Sequence, residues 1–357
     1  MPPTLVRAED PRAAAIRAAR EIDEVVRAAA QARELVRPML DDGTAAEAIT
    51  AFVTAVNDAV TLRLVELTGL DAALRDAGAA WIVLGSAGRA EQTLATDQDN
   101  AIVFADGVDP DARRRALLPL AERVNAALDR SGYPLCRGEV MAGNPRWCLS
   151  QSEWRERFAA WIERPEPEAL LNAAIFFDFR AVHGERHLVA ELRDWLTVHA
   201  RDRGRFLFLM LRNALGNQPP LGLIRDFAVA RGGEHPGTID LKVNGVQLFV
   251  EAARIYSLTD GVAATNTLDR LAGVAGLRGL FARELEEWVG AFRVIQRLRL
   301  ALNGAQHARG EALHNHLNPA TLDEEERRGL KHALRQARNL QGRLARDFSI
   351  VGAGFGV

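Results

Sequence analysis

Asp97 and Asp99, in the run Thr96-Asp97-Gln98-Asp99-Asn100, are the residue pair best suited to chemistry. The segment that follows, Ala101-Ile102-Val103-Phe104, is apolar and β-branched, as a buried strand requires. On a strand, residues i and i+2 share a face, so the two carboxylates project together, about 7 Å apart along the chain. At that spacing two acids can share one or two hard divalent cations. Thr96 comes ten residues after Ser86, in Gly85-Ser86-Ala87-Gly88-Arg89, which ends a first apolar run, Trp81-Ile82-Val83-Leu84. Two glycines let the backbone approach a ligand and leave amides to point at it. A helix starting there aims its first N–H groups at an anion.

These residues need a sheet to hold them. Residues 70–150 alternate strand and helix patterns, as an α/β domain requires. Leu74 to Ala80 lead into the first strand, residues 97–104 form the second, 111–130 an amphipathic helix, and Leu135 to Met141 a third strand carrying Glu139. The Ala-rich stretch from 8 to about 69 has apolar residues at helical spacing, broken at Asp41-Asp42-Gly43, with Thr44 as cap for a second helix. It reads as a helical extension: an adaptor to a sensor, a homodimer contact, or packing for the catalytic domain.

Strand, Gly-Ser turn, about ten residues and Asp-x-Asp entering a second strand together resemble the nucleotidyltransferase superfamily named after DNA polymerase beta. The string GSAGRAEQTLATDQDN resembles more narrowly the nucleotidyltransferases related to the PII-protein uridylyltransferase, in many of which sensory modules precede the catalytic domain. FFDFRAVHGE, PPLGLIRDF, GEHPGTIDLK and TNTLDRL are similar to that family's C-terminal substrate-binding domain. The resemblance implies two Mg²⁺ ions on Asp97 and Asp99, completed by Glu139 or leaving Glu139 in solvent. It implies a nucleoside triphosphate held by Gly85, Ser86, Gly88 and Arg89, and UMP or AMP transfer to a hydroxyl on a regulatory protein. Asp178 and Arg180 resemble an Asp-x-Arg segment of related transferases; Arg180 meets the nucleotide or forms a buried pair with Asp178. Gln98 departs from the superfamily, where a hydrophobic residue separates the acids, and points to a wetter or hydrogen-bonded face. A non-catalytic NTP sensor and nucleotidylation of a small molecule remain open alternatives.

The expected architecture is α/β plus all-α: a helical extension (1–69), a small polymerase-beta-like sheet domain (70–150) and a helical-bundle substrate-binding domain (151–357). A net charge of -2 offers no global attraction to nucleic acid. Two cysteines without CxxC spacing argue against a disulfide framework or structural zinc. No basic start with an apolar core opens the sequence, and no membrane span is expected, so the expectation is a cytoplasmic protein.

Past residue 150, helical spacing recurs at 152–162, 168–182, 186–200, 203–215 and 323–348. Asn244-Gly245 between Thr238–Val243 and Val246–Phe249 predicts a hairpin, with Asp240 and Lys242 facing a cleft or solvent. His307, His314 and His316 lack a neighbouring carboxylate constellation and read as loop residues. The arginines of the last helix read as a solvated face or a site for phosphate or an acidic partner.

Overall fold

The computed structural model describes residues 11–107, 109–222 and 227–352. Residues 8–10, Val108, and 223–226 of the PPLGLIRDF string lie outside the described residues. The rest packs as two units. The first comprises the described residues up to Trp161 with Leu171–Leu196; the second comprises Ile162–Leu170 and those from Thr197 onward.

In the first unit, five helices precede the sheet: α1 (Pro11–Ala18), α2 (Ile22–Arg33), α3 (Val36–Asp41), α4 (Ala46–Leu67) and α5 (Leu70–Ala77). Then come β1 (Ala79–Val83), the one-turn α6 (Gly85–Gly88), β2 (Asn100–Phe104), α7 (Pro110–Arg130) and β3 (Cys148–Ser150). The remaining elements are α8 (Gln151–Glu163), α9 (Pro167–Phe176), β4 (Arg180–Gly184) and α10 (Arg186–Arg201). The strand order is β3-β2-β1-β4. Central β1 runs antiparallel to β2 and β4, and β3 runs parallel to β2.

Both central strands are buried along their whole length, which their Val, Ile, Trp and Phe content favours. Gly78 turns the chain out of α5 with φ +56, so β1 starts at once. An aromatic cluster closes one side of the sheet: Trp147, Trp154, Phe158, Trp161 and Phe176 lie with ring centroids 4.3–6.4 Å apart. The Trp154 indole donates to the Ile102 carbonyl at 3.0 Å, locking α8 to β2.

Helix α4 is apolar enough to cross a membrane by length and composition, with mean hydropathy 1.4, yet 67% of that window is buried within the protein. It packs against α1, α2, α5 and α7 as a core helix. The contacts therefore divide the chain elsewhere than at residues 69 and 150. The N-terminal helices share the core of the sheet unit, and Leu171–Leu196 return to it.

One strand expectation and one helix expectation change. The segment 135–141 is an irregular loop, because Arg137-Gly138 turns and Glu139 takes φ +56, incompatible with a strand. Cys148–Ser150 fills the place beside β2 instead. The helix expected over 168–182 stops at Phe176, and Arg180–Gly184 becomes edge strand β4. Arg193 replaces the missing helical donors, giving N–H bonds to the carbonyls of Phe177 (2.6 Å) and Phe179 (2.8 Å).

The second unit is helical: α11 (Gly204–Gly216), β5 (Ile239–Asp240), α12 (Gln247–Asp260), α13 (Thr267–Ala275), α14 (Ala282–Ala308), β6 (His316–Leu317) and α15 (Glu324–Gly352). α12 is the core helix, buried almost all round from Leu248 to Leu258. The expected hairpin is absent: β5 pairs with β6, and Lys242–Val246 forms a π-helical turn leading into α12. Gly245 is needed there for close packing, since a Cβ would lie 2.9 Å from Ile295 Cγ2 of α14.

Candidate active site

Asp97 and Asp99 sit at the mouth of β2, one exposed and one half-buried. Backbone bonds hold the segment on both sides. Leu84 N–H donates to Asp99 O at 2.9 Å, Gln98 N–H to Pro134 O at 3.0 Å and Asn100 N–H to Val140 O at 3.2 Å. Gln98 and Asn100 alternate with the acids and are buried. Gln98 Nε2 donates to the carbonyls of Asn125 and Tyr133, while Asn125 Nδ2 donates to Gln98 Oε1 and Asn100 Oδ1. The glutamine between the acids thus belongs to a closed polar network that fixes the register of the pair.

The glycine turn abuts the acids. Gly85 has φ +55, and a Cβ on it would lie 3.2 Å from Asp99 Oδ2. Gly88 is tighter still: a Cβ would lie 1.7 Å from the Asp178 carbonyl oxygen. Gly88 N–H makes the first helical bond, to Leu84 O at 3.0 Å, so the amides of Gly85, Ser86 and Ala87 precede it. Ser86 is half-buried.

Arg89 lies away from this turn's surface. It is buried, donating from Nε to Glu91 (2.9 Å) and from a terminal nitrogen to Asp178 (2.7 Å), and Asp178 is fully enclosed. Burial works against the Arg89 charge, but Glu91 and Asp178 outweigh it and hold the guanidinium above its ordinary value. The phosphate contact expected of Arg89 gives way to an internal ion network.

Arg180 does not pair with Asp178 either. Its two terminal nitrogens each donate to Asp58 of α4 at 2.8 Å, and Nε donates to the Ala87 carbonyl at 2.8 Å. It ties β4 to α4 and α6. Lysine cannot reproduce this fork. Arg180→Lys is expected to lower the stability of the free protein by about 1 kcal/mol, the pair being partly exposed. Mg-NTP should still raise the melting temperature by the wild-type increment; loss of that increment instead would place Arg180 on the nucleotide.

The third donor at the acids is a thiol. Asp97, Asp99 and Cys136 form a group whose ligand atoms lie within 4.8 Å of one another. Burial first, and the Asp99 carboxylate second, push the Cys136 thiol up. Glu139 stands outside that group, exposed, and its backbone carbonyl accepts from Trp147 Nε1 and Asn144 Nδ2. Glu139→Gln is expected to change transfer by less than about threefold, under about 0.7 kcal/mol of barrier; a hundredfold loss in steady-state rates would restore it as a ligand.

The cleft containing the acids is also lined by Asn57, Asp58 and Thr61 of α4, Gln92, Tyr133 and Trp81. Tyr133 OH donates to Asn57 Oδ1 at 2.6 Å, and Asn57 Nδ2 to Gln92 Oε1 at 2.9 Å. The buried Trp81 indole N–H has no acceptor among the described residues. These residues escaped the motif reading. The available signal was Asn57-Asp58, a polar pair between the apolar runs of α4.

Asp240 and Lys242 belong to the second unit. Asp240 Oδ1 accepts from the N–H groups of Lys242 (2.8 Å) and Val243 (3.0 Å), so it caps the turn into α12, and Lys242 is exposed. His316 stacks on His235 at a centroid distance of 4.1 Å, and His314 lies tilted against it at 4.5 Å. Among the described residues, Asp97, Asp99 and Cys136 are the group arranged to hold a metal ion.

A small sheet that presents paired carboxylates beside a glycine turn defines a nucleotidyltransferase-like protein. Residues 30–168 match the family described as "Putative nucleotidyltransferase DUF294", and residues 204–348 match "Putative nucleotidyltransferase substrate binding domain". The chain belongs to this nucleotidyltransferase family. No curated protein matches it in sequence.

Proposed function

We propose that this chain transfers a nucleoside monophosphate, UMP or AMP, from an NTP to a hydroxyl on a regulatory protein, as a step in cytoplasmic signalling. The observation that carries the reading is the Asp97–Asp99 pair against Gly85, with oxygen donors close enough to share an ion. Asp97 and Asp99 are hard oxygen ligands and fit Mg²⁺, which keeps several waters and needs few carboxylates. The orphaned Trp81 N–H in the same cleft suits an anionic or water ligand accompanying an ion. Asp97 and Asp99 would hold Mg²⁺, which would supply Lewis acidity toward the acceptor hydroxyl and offset phosphate charge.

The protein's own groups do the rest. Gly85 lets the triphosphate approach the backbone, Gly88 seats the turn against the Asp178 backbone, and Ser86 offers a hydroxyl and an amide to the phosphate oxygens. The network of Gln98, Asn100 and Asn125 fixes the backbone that carries the two acids, so little reorganisation of the main chain is needed as charge develops. In the overall reaction the acceptor oxygen bonds to the α-phosphorus, the bond to the β-phosphate bridge breaks, and pyrophosphate leaves. Residues 204–348 select the acceptor.

The test is incubation of the full chain with Mg²⁺, each labelled NTP and cell extract, with mass spectrometry of labelled products. A labelled protein and released pyrophosphate are expected. NTP binding without pyrophosphate release would convert the reading to a sensor, and label on a small molecule would replace the protein acceptor.

A further inference from the structure

We propose that Cys136 is a third ligand at the Asp97–Asp99 site and makes it a binding site for thiophilic divalent cations of the cobalt, zinc or cadmium kind. The proposal rests on the reading of Asp97 and Asp99 as metal ligands. It concerns which ion they accept.

The local backbone is built to bring this side chain to the acids. Pro134 O and Val140 O accept from the N–H groups of Gln98 and Asn100, the two neighbours of Asp99. The chain between, 135–139, must therefore loop out directly opposite Asp99. A turn closed by Glu139 N–H on Cys136 O (2.9 Å), with Glu139 at φ +56, returns it. The outcome is two carboxylate oxygens and one sulfur within 4.8 Å, a spread that side-chain rotation closes onto one ion with bonds of about 2.0 Å to oxygen and 2.3 Å to sulfur. No disulfide competes, because Cys136 and Cys148 are both free and Cys148 is wholly buried in β3.

Ligand softness then decides the ion. Mg²⁺ takes oxygen and gains nothing from sulfur, so it uses Asp97 and Asp99 alone. Cobalt, zinc and cadmium ions gain a bond to the thiolate, displacing the thiol proton to solvent. The buried Trp81 indole lines the same cleft, and its N–H has no acceptor among the described residues. Such an ion holds the two carboxylates that Mg²⁺ needs, so thiophilic ions and Mg²⁺ compete for one place.

The experiment titrates the full chain with Co²⁺ and with Cd²⁺, following sulfur-to-metal charge-transfer absorption and binding heat. Wild type should show the absorption. Cys136→Ser should lose it and bind Cd²⁺ at least about a hundredfold more weakly, more than loss of an outer-shell partner costs. Asp97→Asn should weaken it too, and added Mg²⁺ should suppress it. Circular dichroism checks that each variant is folded. Absorption that persists in Cys136→Ser, or is absent from wild type, overturns the proposal. Transfer from labelled NTP, measured on the same wild-type protein with Mg²⁺, keeps the two readings apart. Transfer without the absorption overturns sulfur ligation alone, whereas absorption without transfer supports sulfur ligation and overturns the activity.

Discussion

Asp97→Asn is expected to reduce nucleotidyl transfer by at least about a hundredfold, or about 2.7 kcal/mol of barrier, while the protein melts as wild type does. The amide keeps the shape of the side chain and loses the charge that holds a divalent ion. Asp97 is exposed, and its removal leaves the network of Gln98, Asn100 and Asn125 beneath it untouched. It shares its site with the Asp99 carboxylate and the Cys136 thiol. Pyrophosphate release and calorimetric Mg²⁺ binding are the two measurements. Full activity at ordinary Mg²⁺ would remove Asp97 from the site.

Asp178→Ala is expected to do the opposite. Asp178 is completely buried and neutralises Arg89, which is buried as well and also pairs with Glu91. Removing one partner of a buried ion pair costs about 3–5 kcal/mol, and with Glu91 remaining the lower end applies. For a unit of this size, about 3 kcal/mol lowers the melting temperature by about 6–12 °C. The same residue's backbone lies where Gly88 passes, so the glycine turn should also loosen. Melting curves and nucleotide affinity, measured together, check this. A normal melting temperature with weakened nucleotide binding would make Asp178 a contact residue and refute the structural role.

These contrasting expectations for two aspartates separate what is local from what is not. Strand, Gly-Ser turn and Asp-x-Asp are short-range features, and their chemistry could be read from spacing: apolar runs must be buried, and alternate residues must share a face. That reading located the two central strands to within three residues at each end, although β2 begins at Asn100 and leaves both acids just ahead of it, and the family match accords with it. Helices α7, α10, α11 and α15 were legible for the same reason, since helical periodicity is carried by the segment itself.

Only the tertiary structure decided the partners. Arg89 resembles a phosphate ligand by position, yet its charge is spent on Asp178, 89 positions away in sequence, and on Glu91. Arg180 finds Asp58, 122 positions away, on a helix that local composition presented as an extension. Asn244-Gly245 signals a hairpin wherever two strands flank it, but Leu241 and Val246 are claimed by the core of the helical unit and the glycine serves close packing against Ile295. Cys136 had no motif to announce it. It reaches the acids because two backbone bonds on either side of Asp99 force the intervening chain outward, and long-range hydrogen bonding of that kind leaves no periodicity in the sequence.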